Sequence, residues 1–394
     1  MIPLVGKPIL EHLIQDISHR VKDILIVVNY RKEMIERYFS DGSDWGLDIK
    51  YLFQKDCLGT ADAIKCAKEF VDNSFLVING DLLIDSSVID VVLNTYKKNG
   101  LTTLSTVPVD NPEQYGVVTL KDGYVNGINE KPEMGTFESN LINAGIYVFD
   151  NQIYDEIEKT TKSSRGEIEI TDTIQRLIDQ KRQIVPAMID PSKWMDIGFP
   201  WNLLEGNRRI LERTELDIIG MVEEGAHIVG PVELRERVRV RSGSYIEGPV
   251  FIDEESDIGH NCYLRPFTSI GKNVRIGNAC EIKNSLIMDN VNAGHLSYIG
   301  DCIIGESSNI GAGTIMGNLR LDKKSIRVEV KGELIDSGLR KLGVIMGDKV
   351  ETGIRVNIMP GVKIGSGSLI GPNVTLYEDI ESEVFEENTE IRYP

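Results

Sequence analysis

The stretch from Ile258 to Met288 reads IGHNCYLRPFTSIGKNVRIGNACEIKNSLIM. An aliphatic residue or Met occupies every sixth position, and the same spacing extends back to Ile228 without a miss. Neither the 3.6-residue period of a helix nor the two-residue period of a strand produces this spacing. A parallel β-helix does, because each hexad forms one short strand plus a corner and the repeated residue points inward. The predicted inward ladder comprises Ile228, Leu234, Val240, Ile246, Ile252, Ile258, Leu264, Ile270, Ile276, Ile282 and Met288.

The ladder is also interrupted, and in so regular a fold each interruption is a candidate site. We expect it to lose its register at residues 290–295. The charged, Gly-containing stretch Leu319–Leu342 then predicts an extruded hairpin or loop. The period resumes between and after these breaks at Tyr298, Ile304, Ile310, Met316, Ile358, Ile364, Ile370 and Leu376.

The rest of the chain predicts a second domain of another class. A length of 394 residues favours two domains. Residues 1–213 alternate apolar, strand-like runs with amphipathic, helix-like stretches, which predicts an α/β domain around a mostly parallel sheet. We expect a linker at 214–224 and an all-β solenoid over 225–394.

Composition narrows the class of protein. The net charge of −18 argues against a nucleic-acid or anionic-membrane partner, where a basic face is expected. No run approaches the roughly 18 apolar residues of a membrane span, and the N-terminus lacks a signal-peptide pattern. The five cysteines form no CxxC pair, which is typical of reduced thiols. These features predict a cytoplasmic protein.

Two features of the ladder point to chemistry, although each has a purely structural alternative. Arg265 and Lys283 are eighteen residues apart and are expected to stack on successive coils. Stacked like charges repel unless an anion lies between them or solvent screens them, and the spacing alone leaves both explanations open. His295 is either a structural residue or a general base, for which an imidazole is suited near neutral pH.

The segments around His295 carry a family resemblance. AGHLSYIGD (residues 293–301) and NIGAGT (residues 309–314) resemble the left-handed β-helix acetyltransferase domain of GlmU-type bifunctional enzymes. The resemblance implies that His295 takes a proton from the amine of glucosamine 1-phosphate as it attacks acetyl-CoA. It implies that Asn318 positions His295 or the acetyl group, and that the Ala312 N–H stabilises the oxyanion. Sugar-phosphate ligands would be Arg265, Lys283, Tyr298 and Asn309.

The sequence departs from the bacterial pattern after Asn318, where Leu319, Arg320 and Leu321 stand in place of tyrosine, aspartate and glycine. The later stretches 338–343 and 353–357 resemble the archaeal branch of the family instead. Arg340 and Lys341 are then either contacts for the phosphates of CoA or a solvated turn. The family relation further implies a homotrimer with sites shared between neighbouring solenoids.

The first half resembles a sugar-1-phosphate nucleotidylyltransferase of Rossmann-like fold. Gln54 with LGTADA (residues 58–63) matches the nucleotide-recognition segment, in which Gly59 and Thr60 form the turn at a helix N-terminus. Asp81 of the Asn-Gly-Asp turn and Asp196 would hold Mg²⁺ for transfer from UTP or dTTP. The same resemblance implies that Gly116, Glu130, Lys131 and Asn143 bind the sugar phosphate.

The N-terminus differs from that family. Met1–Leu10 resembles the segment that follows the family's opening strand and glycine-rich phosphate loop. We therefore expect weak nucleotide transfer from this chain and an open sheet. A natural start upstream of Met1 and a degenerate domain are the two explanations.

Three functions remain as hypotheses. The first is a bifunctional enzyme that acetylates an amino-sugar 1-phosphate and couples it to a nucleoside triphosphate, with acetyl-CoA as co-substrate. The second is an acetyltransferase with a degenerate N-terminal domain. The third is a non-catalytic regulatory subunit, which would have no use for the His295 constellation. Neither glucosamine against galactosamine nor UTP against dTTP is resolved at this stage.

Overall fold

A computed structural model describes residues 1–133 and 135–386 of the chain. It forms two compact units. One contains Met1 and Ile9–Asp196, and the other contains Ile2–Pro8 and the chain from Ile197 onward. The elements that precede the solenoid strands are, in chain order, β1 (Pro3–Leu4), β2 (Lys7–Pro8), α1 (Ile9–Ile17), β3 (Asp23–Val28), α2 (Lys32–Phe39), β4 (Asp48–Phe53), α3 (Thr60–Lys65), β5 (Phe75–Ile78), β6 (Leu82–Ile84), α4 (Ser86–Asn99), β7 (Thr103–Pro108), β8 (Gly116–Lys121), β9 (Tyr124–Glu130), β10 (Leu141–Phe149), α5 (Gln152–Ile157), α6 (Ile170–Asp179), β11 (Val185–Met188), β12 (Trp194–Asp196) and α7 (Asn202–Leu211), with 3-10 turns at Ser43–Trp45, Lys68–Phe70, Pro112–Gln114 and Pro191–Lys193.

The unit boundary differs from the expected boundaries at 213 and 225. Helix α7 belongs to the solenoid unit, because the Asn207 amide donates to the Phe267 carbonyl and Arg208 lies 4.3 Å from the centre of the Phe267 ring. The expected linker already contains solenoid strands, since Asp217–Ile218 and Met221–Val222 pair with the strands of the next coil.

The main sheet of the α/β unit has the order β11-β7-β10-β8-β9, with β5 also paired to β10. Only the β11–β7 pair is parallel, whereas the sequence predicted a mostly parallel sheet. For one pair the reason is local: the Asp122-Gly123 turn joins β8 to β9 directly, and two strands joined by so short a turn must be antiparallel. The other antiparallel pairs are made by β10, which runs opposite to β5, β7 and β8.

Strands β3 and β4 form a parallel pair of their own. Among the described residues, β3 pairs only with β4 and β5 only with β10. The apolar residues of β5 are half-buried, as are those of β3 up to Val27. Each of these two strands therefore has one edge without a strand partner among the described residues.

From Asp217 the chain winds into a three-sided solenoid in which each strand pairs in parallel with the strand one coil later. The first face contains Asp217–Ile218, Val232–Leu234, Val250–Ile252, Thr268–Ile270, Leu286–Ile287, Ile303–Ile304, Ile345–Met346 and Lys363–Ile364. The second face contains Met221–Val222, Arg239–Val240, Asp257–Ile258, Arg275–Asn278, Asn292–His295, Asn309–Ile310, Glu351–Thr352, Leu369–Ile370 and Phe385–Glu386. The third face contains His227–Val229, Tyr245–Glu247, Tyr263–Leu264, Glu281–Lys283, Tyr298–Gly300, Ile315–Met316, Asn357–Ile358 and Thr375–Leu376.

The inward ladder is confirmed over most of its length. Every predicted residue from Leu234 to Ile282 is 0% exposed, and Ile228 packs partly against the same core. Two assignments are wrong. Ile287 rather than Met288, and Ile299 rather than Tyr298, are the buried inward residues. In both places two apolar residues are adjacent, so hydrophobicity alone does not reveal which one points inward.

The interruption also lies elsewhere than predicted. Ile270 pairs with Ile287 and Ile276 with Ala293, so these coils are one residue shorter than the eighteen-residue coil that pairs Ile252 with Ile270. The missing residue is lost between Ile282 and Ile287, and a second one between Ile299 and Ile304. Residues 290–295, expected to break the ladder, form an ordinary hexad.

Both shortened hexads turn from the third face to the first, and we call this turn the third corner (Asn284–Ser285, Asp301–Cys302 and Gly317–Val344). The insertion Leu319–Leu342 leaves the solenoid at the same corner and contains the antiparallel hairpin Arg327–Val330 and Glu333–Asp336. Ile326 and Val328 are buried, so the base of the hairpin packs on the protein. Within the described residues no helix is both long and apolar enough to cross a membrane.

Candidate functional sites

The α/β unit brings two carboxylates together at the ends of paired strands. Asp81 follows the turn after β5, and antiparallel pairing of β12 with β6 places Asp196 opposite Leu82, the residue next to Asp81. Surrounding protein atoms raise the pKa of Asp81, and the negative charge of Asp196 raises it further, although solvent still reaches the side chain. Desolvation also raises the pKa of Asp196.

These carboxylates fit a magnesium site that is completed by substrate. Mg²⁺ is commonly held by one or two carboxylates together with substrate phosphates. Two adjacent carboxylates with raised pKa values are a donor set that a divalent cation stabilises. Among the described residues no group of three His, Cys, Asp or Glu side chains is placed to hold a metal ion on its own.

Tyr115 is part of this site and was missed from the sequence. Its hydroxyl donates to Asp196 Oδ1 at 2.7 Å, and burial together with this carboxylate raises the pKa of Tyr115. The positive charge of Lys131 acts on Asp196 in the opposite sense and lowers its pKa. Lys131 therefore lies near the carboxylate pair, and the Lys131 backbone N–H donates to the Tyr115 carbonyl at 2.9 Å.

Two of the predicted sugar ligands, Glu130 and Asn143, lie around a third, Gly116. Gly116 pairs with Glu130 across β8 and β9, and a Cβ at Gly116 would lie 2.9 Å from Glu130 Oε2 and 3.5 Å from Asn143 Cβ. Any side chain at position 116 would therefore fill the space between them. Desolvation raises the pKa of Glu130, and Arg165 lies 3.6 Å from its Oε1. Arg165 had no role in the sequence-based prediction.

The predicted nucleotide segment forms a compact turn before α3. Gln54 Nε2 donates to the Gly59 carbonyl at 3.2 Å and to Asp62 Oδ2 at 2.8 Å. Gly59 has φ 118°, and a Cβ there would lie 2.6 Å from the Ile168 carbonyl oxygen, so only glycine fits. The Thr60 hydroxyl accepts from the Ile170 N–H at 3.0 Å, which fixes the start of α3 against α6.

On the solenoid, Arg265 directly follows the third-face strand Tyr263–Leu264, which pairs with the strand Glu281–Lys283, so Arg265 and Lys283 lie on successive coils as predicted. Each is paired with a carboxylate that was not predicted. Arg265 lies 3.0 Å from Glu281, which holds the pKa of the guanidinium above its usual value, and Lys283 lies 3.2 Å from Asp301. The carboxylates relieve the repulsion of the stacked cations, so the stack does not require an anion.

Tyr298 and Asn318 meet at the third corner. Asn318 Nδ2 donates to the Tyr298 hydroxyl at 3.1 Å and to Asp301 Oδ2 at 2.5 Å. A Cβ at Gly300 would lie 2.5 Å from the Tyr298 hydroxyl and 2.8 Å from Asn318 Nδ2, so glycine is needed for their approach. Lys283 and Asn318 therefore converge on Asp301, and Tyr298 is joined to them through Asn318. Desolvation raises the pKa of Tyr298.

His295 ends a strand of the second face and is exposed. Its carbonyl accepts from the Gly313 N–H at 3.1 Å, which places Ala312 and His295 on adjacent coils of one edge. Among the described residues the Ala312 N–H has no acceptor, as an oxyanion donor requires. An exposed imidazole next to such a donor is a suitable arrangement for acyl transfer.

Three other predicted residues, Asn309, Arg340 and Lys341, do not join the cluster of Lys283, Tyr298 and Asn318 within one chain. Asn309 is on the second face, where its Oδ1 accepts from Asn292 at 2.8 Å, so it does not join Tyr298. Arg340 and Lys341 are exposed at the end of the insertion, and Lys341 forms a bridge with Leu319 at its start.

Comparison with known proteins covers both halves of the chain. Residues 1–213 match the nucleotidyl transferase family, residues 246–357 the GMPPB C-terminal domain, and residues 343–377 the bacterial transferase hexapeptide family (six repeats). The bifunctional protein GlmU of Methanocaldococcus jannaschii is 44% identical over 386 residues, covering 98% of this chain and 91% of that protein.

A second relative carries a more explicit name. The bifunctional sugar-1-phosphate nucleotidylyltransferase/acetyltransferase of Sulfurisphaera tokodaii is 40% identical over 384 residues, covering 96% of this chain and 92% of that protein. A crystal structure of UDP-glucose pyrophosphorylase with UDP-glucose aligns with 54% of this chain and 90% of its own, at 22% identity and a TM-score of 0.49.

Proposed function

This chain belongs to the nucleotidyl transferase family and is a GlmU-type bifunctional sugar-1-phosphate nucleotidylyltransferase/acetyltransferase, and we propose which residues carry its two reactions. Its second half is a left-handed β-helix of hexapeptide repeats. Relatives that match both halves at 40–47% identity do not favour a lone acetyltransferase or a regulatory subunit.

In the acetyl transfer, the solenoid binds glucosamine 1-phosphate and acetyl-CoA. His295 takes a proton from the sugar amine as the amine nitrogen attacks the thioester carbonyl. The C–S bond breaks, and the CoA sulfur takes that proton from His295 and leaves as the thiol. The Ala312 N–H stabilises the negative charge on the carbonyl oxygen. Lys283 and Arg265 bind the phosphate, while Tyr298 and Asn318 orient the sugar. The observation that carries this proposal is the convergence of Lys283, Tyr298 and Asn318 at one corner.

In the nucleotidyl transfer, Asp81 and Asp196 are the residues that would hold Mg²⁺, which supplies charge neutralisation for the triphosphate. Lys131 lies near this pair and would bind the phosphate of N-acetylglucosamine 1-phosphate. Gly116, Glu130 and Asn143 form the sugar pocket, and Gln54, Gly59 and Thr60 bind the nucleotide. UTP and dTTP stay alternatives, as do glucosamine and galactosamine.

The remaining assignments rest on the family. Arg340 and Lys341 are exposed cations on the insertion and are proposed to contact the phosphates of CoA, with a solvated turn as the alternative. Asn309 lies on a face away from Tyr298, so we assign it to a site completed by a neighbouring chain of a homotrimer. We expect the enzyme in the cytoplasm.

The test is CoA release from acetyl-CoA and glucosamine 1-phosphate, measured with a thiol reagent. We expect His295→Ala to reduce the rate by about 10²–10⁴-fold, the usual contribution of a positioned general base. His227→Ala, which removes another exposed histidine of the solenoid, is the control and should keep the wild-type rate. A wild type that releases no CoA disproves the acetyl transfer, whereas an active His295→Ala disproves only the assignment of the base.

A further inference from the structure

Asp301 connects more of the proposed acetyl-transfer site than any residue assigned to that site above. It lies at the third corner and is 3% exposed. Its carboxylate accepts from Lys283 Nζ at 3.2 Å, from Asn284 Nδ2 at 2.7 Å and from Asn318 Nδ2 at 2.5 Å. The donors come from the coil before it and the coil after it, so one side chain ties three coils together.

The backbone of Asp301 is fixed as firmly as its side chain. Its N–H donates to the Lys283 carbonyl at 2.9 Å, and its carbonyl accepts from the Gly343 N–H at 2.7 Å. Both shortened hexads and the insertion converge on this corner. Because both the backbone and the side chain of Asp301 are hydrogen-bonded, its carboxylate has little freedom to move away when a substrate binds.

The charges show what the carboxylate does for its neighbours. The Lys283 side chain is only 20% exposed. In the neighbouring ion pair, the side chain of Arg265 is 37% exposed and that of Glu281 is 38% exposed. A half-buried ammonium is stable only when its donors are satisfied, and charge-assisted bonds to a buried carboxylate satisfy them strongly. Asp301 thus holds the Lys283 ammonium in one place.

Asp301 also orients the amide of Asn318. The bond to Asp301 Oδ2 requires that the Asn318 NH₂ group faces the carboxylate, and the same group reaches the Tyr298 hydroxyl at 3.1 Å. The amide oxygen of Asn318 then points away from the corner. Without the carboxylate the amide would be free to turn by half a rotation.

We propose that Asp301 is a positioning residue for acetyl transfer, which fixes Lys283 and Asn318 in the geometry that binds the amino-sugar phosphate. The inference rests on the proposed function. It assigns to Asp301 no contact with the reacting atoms. Its effect should therefore appear in the binding of one substrate and not in the chemical step.

The experiment compares steady-state kinetics of the wild type and Asp301→Asn in the full-length chain. Asparagine keeps the shape but loses the charge, and its NH₂ group opposes the donors of Lys283 and Asn318. We expect the KM for glucosamine 1-phosphate to rise about 10-fold or more, the value of one charge-assisted bond. The kcat and the KM for acetyl-CoA should stay within about threefold of the wild type, because the chemical step and the CoA contacts are unchanged.

Two further variants separate positioning from folding. Asn284→Gly removes one donor to Asp301 without touching a proposed substrate ligand, and glycine suits its φ of 44°. It should raise the same KM to a smaller extent, and it serves as the readout if Asp301→Asn does not fold. Asp257→Asn breaks an Asp–Arg pair of 2.6 Å on the second face and should leave both KM values unchanged.

A double-mutant cycle then identifies the route of the effect. If Asp301 acts through Lys283, Asp301→Asn adds little to the KM in a Lys283→Ala background. Full additivity overturns the inference, as does an unchanged KM in both Asp301→Asn and Asn284→Gly, or an equal rise in the KM for acetyl-CoA. A wild type without acetyl transfer overturns the proposed function itself, and this inference with it.

Discussion

At the scale of single residues, the ionised carboxylate of Asp81 opposes folding. Burial and like charge raise the pKa of Asp81, which means that the folded protein holds its proton more tightly than the unfolded chain does. The folded state therefore binds more protons between the ordinary and the raised pKa. Stability falls as pH rises through that window, and the cost of the charge is fully present at neutral pH.

Asp81→Asn should therefore stabilise the protein while it removes nucleotidyl transfer. We expect a higher midpoint of urea unfolding at neutral pH, with the gain shrinking as the pH approaches the ordinary pKa of aspartate, about 4. Pyrophosphate release from UTP and N-acetylglucosamine 1-phosphate should fall by about 100-fold or more, because a bound cation contributes several kcal/mol to charge stabilisation.

Magnesium provides the matched control for this variant. If Asp81 holds the cation, added Mg²⁺ raises the unfolding midpoint of the wild type and not that of Asp81→Asn, since a ligand stabilises only a state that binds it. Acetyl transfer should be the same in both proteins. An Asp81→Asn variant that is less stable than the wild type at neutral pH would contradict the claim that the ionised Asp81 carboxylate destabilises the fold.

The segments that carry the proposed site residues could be recognised in the sequence, but the contacts that those residues make could not. Asp81, His295 and Asn318 lie in recognisable segments, and the structure describes them at the ends of strands or at corners. Tyr115 reaches Asp196 only through the tertiary packing of the α/β unit. Asp301 contacts Lys283 from the corner residue next to Gly300, which is the register partner of Lys283 in the seventeen-residue coil.

At the scale of elements, the register of the solenoid decides which side chains face the core. The sequence predicted nine consecutive inward residues from Leu234 to Ile282 correctly. The six-residue count is intact over this stretch, and most of the nine have a polar residue or glycine on both sides. It went wrong at Met288, where the preceding residue is Ile287. A deletion within a corner changes the count without changing the hydrophobic pattern, so the count alone could not detect it.

Replacing these two neighbours one at a time tests the register. We expect Ile287→Ala to reduce the free energy of unfolding by about 3 kcal/mol, within the range for a buried aliphatic residue that leaves a cavity. Met288→Ala should cost less than about 1 kcal/mol, because its side chain is only half-buried. Urea unfolding at one fixed protein concentration measures both. A larger loss of unfolding free energy for Met288→Ala than for Ile287→Ala would support the register predicted from the sequence.

At the scale of the whole molecule, the two activities belong to different compact units. The α/β unit ends at Asp196, and α7 is already part of the solenoid unit. The sequence placed this boundary later, because α7 has the amphipathic pattern of a helix from either domain. Its contacts with Phe267 could not be read from periodicity.

The assembly is the prediction that belongs to this scale. We expect sedimentation to give three times the monomer mass of 44.0 kDa. Asn309 and Tyr298 lie on different faces of one solenoid, so a site that needs both requires two chains. Mixed trimers of Asn309→Ala and Tyr298→Phe chains should then be more active than either variant alone. A monomer with full acetyl transfer would contradict the shared site.

The third corner has a consequence for protein engineering. Each coil of a solenoid contacts only its neighbours, so material added outside a corner does not disturb the stack. The hairpin turn at Lys331-Gly332 is an exposed tip of such an addition, with both residues at positive φ. A foreign peptide spliced into this tip would be carried outside the coils at a defined position, and the enzyme would become a scaffold for antigen or tag display.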